Sequence, residues 1–218
     1  MTVINVVKIP LQTIDLSPGS HMRMSDVSWT QYEALLEELG ENRGSRLAYS
    51  QGVLDVMVPL PEHERAKIVI ADLVKAILRF QRRPWEPLGS TTFKRGDSAG
   101  IEPDECFYIQ NYQTVIGKER IDLAVDPPPD LAIESDVTSK TRIEAYIAIK
   151  VPELWIYDSG QLKINVLKGD DCYVDSETSL IFPDLPIIKI IPRTIEQAKR
   201  IGTSQALLEF EEWLQEKE

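Results

Sequence analysis

The sequence is poor in the residues that hold small secreted proteins together. Its 218 residues include only two cysteines, Cys106 and Cys172, and two histidines. The cysteines lie far apart and form no CxxC or Cys/His ligand spacing, which argues against a zinc finger, a thiol-redox site and a disulfide scaffold. A chain of this length can bury enough surface to fold without such cross-links. A reducing cytoplasm is therefore the expected location.

Long apolar runs and an excess of basic residues are also missing. No run approaches the roughly 20 residues that span a membrane, and the first residues lack the features of a signal peptide. We expect neither a membrane protein nor a secreted one. Acidic residues outnumber basic ones by 35 to 24, so the formal net charge is −11. Any polyanion must then be met by a metal ion or a local basic patch rather than by bulk charge.

Apolar periodicity predicts a mixed order of helices and strands. Amphipathic helices are predicted over 28–39 and 63–83, a short helix over 140–149 and a terminal helix from 194. The predicted strands lie at 46–49, 53–58, 85–94, 104–110, 131–137, 154–157, 162–167, 172–174 and 179–182. This order predicts a fold of the α/β (α+β) class with a central mixed sheet.

Acidic residues stand at matched places in two of these strands. Asp104 begins one strand and Glu134 lies within the next, and both strands are otherwise mostly apolar. Neighbouring strands lie about 4.8 Å apart and a hard cation binds oxygen at about 2.1 Å, so facing carboxylates can share one Mg²⁺. Asp136 lies on the same face as Glu134 because side chains alternate along a strand. Turn chemistry at the Pro-Asp pairs and a solvated strand are the alternative explanation.

Several segments in order resemble a known family. They lie at 52–57, 62–64, 87–93, 101–109, 129–139 and 151–157. Together they resemble the Uma-type family of bacterial restriction-endonuclease-like proteins, in the PD-(D/E)XK nuclease superfamily, over about residues 25–190. The resemblance implies a single restriction-endonuclease-like domain over 1–218 with an αβββαβ core at about 46–158. An N-terminal helix and hairpin, and a C-terminal meander and helix over 159–218, would complete it.

The resemblance also implies an activity and a site. The family would hydrolyse phosphodiester bonds in DNA as a metal-dependent endonuclease, and we expect a homodimer. Asp104 and Glu134 would bind Mg²⁺ or Mn²⁺, and Glu64, an acid near the start of the first core helix, often joins them in this superfamily. His63 stands beside Glu64 on the side of the apolar stripe, which suits either a site role or a partly buried histidine.

The motif's lysine is missing from its expected position. The lysine should lie two residues after Glu134, where this sequence has Asp136. Asp136 would then be a third metal ligand, or it would orient the cation that replaces the lysine. Lys140 is the expected replacement because its flexible stem can reach the site from the next helix, and Lys94 is second. The missing lysine and the acidic charge keep a second function open, a catalytically inactive nuclease-fold module for binding or assembly.

Basic residues form one cluster suited to phosphates, although the exposed end of a helix explains it equally well. The cluster consists of Arg79, Arg82, Arg83, Lys94 and Arg95.

Overall fold

Two β-sheets and five α-helices make up the part of the chain that the structure describes. The computed structural model describes residues 14–40, 44–58, 61–89, 91–135, 143–169 and 172–217, without the side chains of 61–64. The helices are α1 (Trp29–Leu39), α2 (Pro61–Phe80), α3 (Ile143–Ile149), α4 (Ile187–Ile201) and α5 (Thr203–Gln215). The strands are β1 (His21–Met24), β2 (Arg46–Ser50), β3 (Val53–Met57), β4 (Glu86–Pro87), β5 (Phe93–Arg95), β6 (Ala99–Ile101), β7 (Glu105–Tyr108), β8 (Leu131–Glu134), β9 (Glu153–Asp158), β10 (Gln161–Lys168) and β11 (Cys172–Ser176). In these ranges, none of the helices is both long and apolar enough to span a bilayer.

The smaller sheet has the strand order β1-β3-β2-β6-β5, and all its pairings are antiparallel. β2 and β3 form the predicted hairpin. Ser28 caps the start of α1: its hydroxyl accepts from the Gln31 amide, and the Gln31 side chain accepts from the Ser28 amide. Tyr32 of α1 stacks on Tyr49 of β2 with ring centroids 4.9 Å apart. A Cβ at Gly100 would overlap the Tyr32 side chain, so α1 needs glycine there to lie this close to β6.

The larger sheet has the order β11-β10-β9-β8-β7-β4. It is mixed, because β8 and β9 are parallel while the other neighbours are antiparallel. Phe107 and Ile133 point to the core shared with α2, α4 and α5, and Cys106 and Ala132 point to the core shared with α3. Helix α3 also packs against β2, β5 and β6, so it lies where the two sheets meet.

The predicted strand at 85–94 is two strands in different sheets. β4 pairs with β7 in the larger sheet, whereas β5 pairs with β6 in the smaller one. The connection passes Gly89, where a Cβ would lie 2.7 Å from a carboxylate oxygen of Glu105. The chain therefore crosses between the sheets at a point where periodicity alone predicted one continuous strand.

The terminal helix begins earlier than residue 194 and is divided. α4 begins at Ile187, and its isoleucines at 187, 190, 191 and 195 are buried. Gly202 separates α4 from α5 with a φ of 92°. A positive φ is readily adopted by glycine, so the break falls at this residue.

The predicted strand at 179–182 is a loop instead, and the buried carboxylate of Glu153 holds it. One oxygen of Glu153 accepts from the Ser179 hydroxyl at 2.6 Å and from the Trp155 indole N–H at 2.5 Å. The other accepts from the backbone N–H groups of Leu180 at 2.6 Å and Ile181 at 3.3 Å. Burial raises the pKa of Glu153, and these four donors oppose that rise.

Replacing Glu153 with alanine should lower the free energy of unfolding by about 2–4 kcal/mol, because buried donors would lose their acceptor. Urea unfolding measures this loss. Glu177→Ala in the adjacent loop is the matched control, since Glu177 is exposed and should change stability by less than about 0.5 kcal/mol. Equal effects of the two substitutions would show that the carboxylate does not hold the loop.

Candidate active site

Asp104, which directly precedes β7, and Glu134, the last residue of the neighbouring strand β8, lie at opposed positions. β7 and β8 are antiparallel with Glu105 opposite Ile133, so the next pair in that register is Asp104 and Glu134. Opposed residues of such strands have Cβ atoms about 4.5–5.5 Å apart. The expectation that the two acid-bearing strands are neighbours in one sheet is confirmed. By alternation both acids share the face of Cys106, which α3 covers.

Glu105, beside Asp104 in the sequence, points to the opposite face. Burial raises the pKa of its carboxyl, while the charges of Lys75 and Lys67 on α2 oppose the rise. Glu105 therefore belongs to the α2 side of the sheet, away from the acidic pair.

Ser135 holds the Asp104 carboxylate in one orientation. Asp104 is 3% exposed, and its Oδ2 accepts from the Ser135 amide at 2.8 Å and from the Ser135 hydroxyl at 2.7 Å. Ser135 directly follows Glu134, so one acid's chain neighbour orients the other acid. Sequence reasoning missed Ser135, although its place next to the acid was the available signal.

Tyr146 of α3 holds the second acid. Its hydroxyl donates a hydrogen bond to Glu134 Oε1. Burial raises the pKa of Tyr146 well above its usual value, and the charges of Glu134 and Asp104 raise it further. The phenol therefore stays a donor at neutral pH, and both carboxylates act on the same hydroxyl.

Glu102 fixes the start of β2 beside this pair. Its Oε2 accepts from the Leu47 amide at 3.0 Å, and its Oε1 accepts from the Thr92 hydroxyl at 2.8 Å. Glu102 is 6% exposed, so these are buried contacts. Arg46 directly precedes Leu47, and its Nε lies 3.8 Å from Asp104 Oδ1. Sequence reasoning missed both Glu102 and Arg46, because nothing local links the two strands.

The residues at this face fit a hard divalent cation. Two carboxylates on one sheet face, with Asp104 buried and Glu134 half-buried, are costly unless a cation or a proton neutralises them. Asp104 Oδ1 lies 3.8 Å from the Nε of Arg46, and that Nε is buried without an acceptor in the described part of the chain. Carboxylate oxygens are the ligands that Mg²⁺ and Mn²⁺ prefer. Within the described residues, no group of three or more Asp, Glu, His or Cys side chains is placed so that it could hold a metal ion.

Comparison with known proteins identifies the family. The family model Uma2, described as "Putative restriction endonuclease", matches residues 29–196. The chain belongs to the Uma2 family. A crystal structure titled as a putative nuclease of DUF820 from Anabaena variabilis ATCC 29413 covers 83% of this chain and 99% of its own, with a TM-score of 0.50 and 13% identity. That likeness confirms the predicted fold. No curated protein matches the chain.

The other predicted site residues of this Uma2 chain lie partly outside the described residues. His63 and Glu64 are in the first turn of α2, but the description does not include their side chains. Asp136 and Lys140 fall in the segment between β8 and α3 that lies outside the described ranges. Their site roles stay predictions.

The predicted basic cluster is largely engaged in contacts within the chain. Lys94 pairs with Glu33 at 3.1 Å, and Arg79 pairs with Glu211 at 3.2 Å. Arg83 donates to the Ile181 carbonyl at 2.6 Å. These three cations would have to leave their partners to bind phosphate.

The Asp104–Ser135 contact predicts thermodynamic coupling. Ser135→Ala should cost about 1–2 kcal/mol of unfolding free energy in the wild-type chain, and much less when Asp104 is already alanine. A double-mutant cycle by chemical unfolding measures the difference. Ser179→Ala serves as the control because its hydroxyl bonds Glu153, so its cost should add to that of Asp104→Ala. If the cost of Ser135→Ala also simply added to that of Asp104→Ala, the result would contradict the contact between the two residues.

Proposed function

We propose that this Uma2 protein is a metal-dependent endonuclease that hydrolyses phosphodiester bonds in DNA, with Asp104 and Glu134 as ligands of Mg²⁺ or Mn²⁺. The family and the nuclease fold support a nuclease. The observation that carries the metal site is the opposed register of the two acids on one sheet face. A divalent ion bound there supplies charge stabilisation for the phosphate and an activated water.

The chain's own residues prepare the two ligands before any ion binds. Ser135 directs one oxygen of Asp104 into the protein, which leaves Oδ1 on the side of Arg46. Tyr146 restrains Glu134 through its hydroxyl. Carboxylates that are already oriented lose less freedom on binding, so a site with few protein ligands can still hold an ion.

The remaining predicted residues complete the proposal. Glu64 would add an acid from the start of α2, with His63 beside it. Asp136 would be a third ligand or would orient a cation, and Lys140 is a candidate for that cation. We also propose a homodimer, because a two-fold pair of sites suits the two antiparallel strands of duplex DNA.

Cleavage assays test the activity directly. Plasmid DNA, single-stranded DNA and RNA are incubated with the wild-type chain and Mg²⁺ or Mn²⁺, and we expect cleavage of DNA that the double variant Asp104→Ala, Glu134→Ala lacks. Asp97→Ala, Glu119→Ala is the matched control, since it removes the same charge from exposed positions and should cleave like wild type. Cleavage of RNA alone would change the substrate. No cleavage under any condition would favour the inactive binding module.

Calorimetry with Mn²⁺ tests the metal site apart from activity. We expect weak binding, because sites of this kind use few carboxylates and keep several waters. Glu134→Gln should lower the affinity about tenfold or more, whereas Glu119→Gln should not change it. If Glu134→Gln binds Mn²⁺ as well as wild type, the ion occupies adventitious surface carboxylates.

A further inference from the structure

Arg46 has a buried donor that no described residue accepts. Its Nε lies 3.8 Å from Asp104 Oδ1, beyond the usual N–H···O range of about 2.7–3.2 Å. The same atom is buried without a hydrogen-bond partner in the described part of the chain. A buried N–H without an acceptor destabilises the folded state, so its retention beside a carboxylate needs an explanation.

The orientation of Arg46 follows from the fold around β2. Leu47 and Tyr49 point into the core under α1, so alternation directs Arg46 to the other face of the smaller sheet. The bond from the Leu47 amide to Glu102 holds the backbone next to Arg46. The guanidinium is therefore placed at the acidic pair by two buried constraints and not by its ion pair alone.

The chemistry of the guanidinium suits a phosphate as well as it suits a carboxylate. Arginine presents several N–H donors in a planar fork and binds phosphate oxygens in pairs. The side chain is 21% exposed, so part of the fork can be reached from solvent while Nε stays buried. An anion that arrives at the Asp104–Glu134 face would supply the acceptor that Nε lacks.

We propose that Arg46 is a catalytic residue that binds a non-bridging oxygen of the scissile phosphate, in the place of the superfamily's lysine. This rests on the proposed function. In hydrolysis, a water oxygen forms a bond to phosphorus and the bond from phosphorus to one ester oxygen breaks. That oxygen keeps the electron pair and takes up a proton from the water, giving an alcohol and a phosphomonoester. Arg46 keeps its own protons throughout and contributes positive charge to the transition state.

Three measurements on Arg46→Ala and Arg46→Lys test this role. The single-turnover cleavage rate should fall at least 100-fold in Arg46→Ala and less in Arg46→Lys, which keeps the charge. The affinity for inorganic phosphate, measured with saturating Mn²⁺, should fall about tenfold in Arg46→Ala. The affinity for Mn²⁺ alone should stay equal or rise, because a cation beside a ligand is removed. Arg23→Ala is the matched control, since Arg23 of β1 pairs with Asp55 of β3 and its loss should leave all three measurements unchanged.

The outcomes separate this proposal from the nuclease proposal. If the wild-type chain cleaves DNA and Arg46→Ala has the same cleavage rate and phosphate affinity, the role of Arg46 is overturned and the nuclease proposal is not. A wild-type chain that cleaves nothing overturns the nuclease, and unchanged phosphate affinity would then overturn Arg46 as well. Loss of Mn²⁺ binding in Arg46→Ala would show that Arg46 has a structural role instead, and would overturn the proposal. If Arg46→Ala does not fold, Arg46→Lys decides the question. A cleavage rate and a phosphate affinity of Arg46→Lys equal to those of the wild-type chain would overturn the proposal. Lys140→Ala, run beside them, should retain more activity than Arg46→Ala, and the reverse order would assign the role to Lys140.

Discussion

Two carboxylates opposed on one sheet face are the constraint on which this region of the molecule depends. Asp104 and Glu134 would repel each other if nothing restrained or neutralised them. Ser135 and Tyr146 each give one carboxylate a hydrogen bond, and Arg46 brings a positive charge from the other sheet. The two sheets therefore meet at a charged site, and α3 covers the apolar surface beside it. Sheet pairing, helix placement and site geometry are three parts of one arrangement.

Local patterns in the sequence predicted the elements that bear the acids. The hairpin of β2 and β3 and the helix α1 follow from apolar periodicity and turn residues, which depend on residues close together in the chain. The pairing of β7 with β8 follows from the tendency of consecutive elements to be neighbours. The apolar run at 179–182 has the same local pattern as a strand, but its amides bond the Glu153 carboxylate instead of a neighbouring strand. Local periodicity cannot distinguish those two acceptors.

Contacts between distant segments were beyond local prediction for the same reason. Glu102 holds the Leu47 amide across 55 positions, and the position of Arg46 depends on that bond. No spacing rule relates an arginine at the start of one hairpin strand to an acid that precedes a later strand. The pattern near Glu134 therefore favours Lys140 first and Lys94 of β5 second as the replacement for the missing lysine, and it gives no signal for Arg46.

Under the proposed function, the site would let an acidic chain meet a polyanion only with a metal ion bound. The two positive charges of a divalent cation would offset the carboxylates of Asp104 and Glu134, and Arg46 would add positive charge toward the phosphate. Since the net charge of the whole chain is −11, attraction for nucleic acid would then depend on the site being loaded with metal. Without Arg46, the metal ion alone would have to offset the charge that the phosphate brings to this partly buried face.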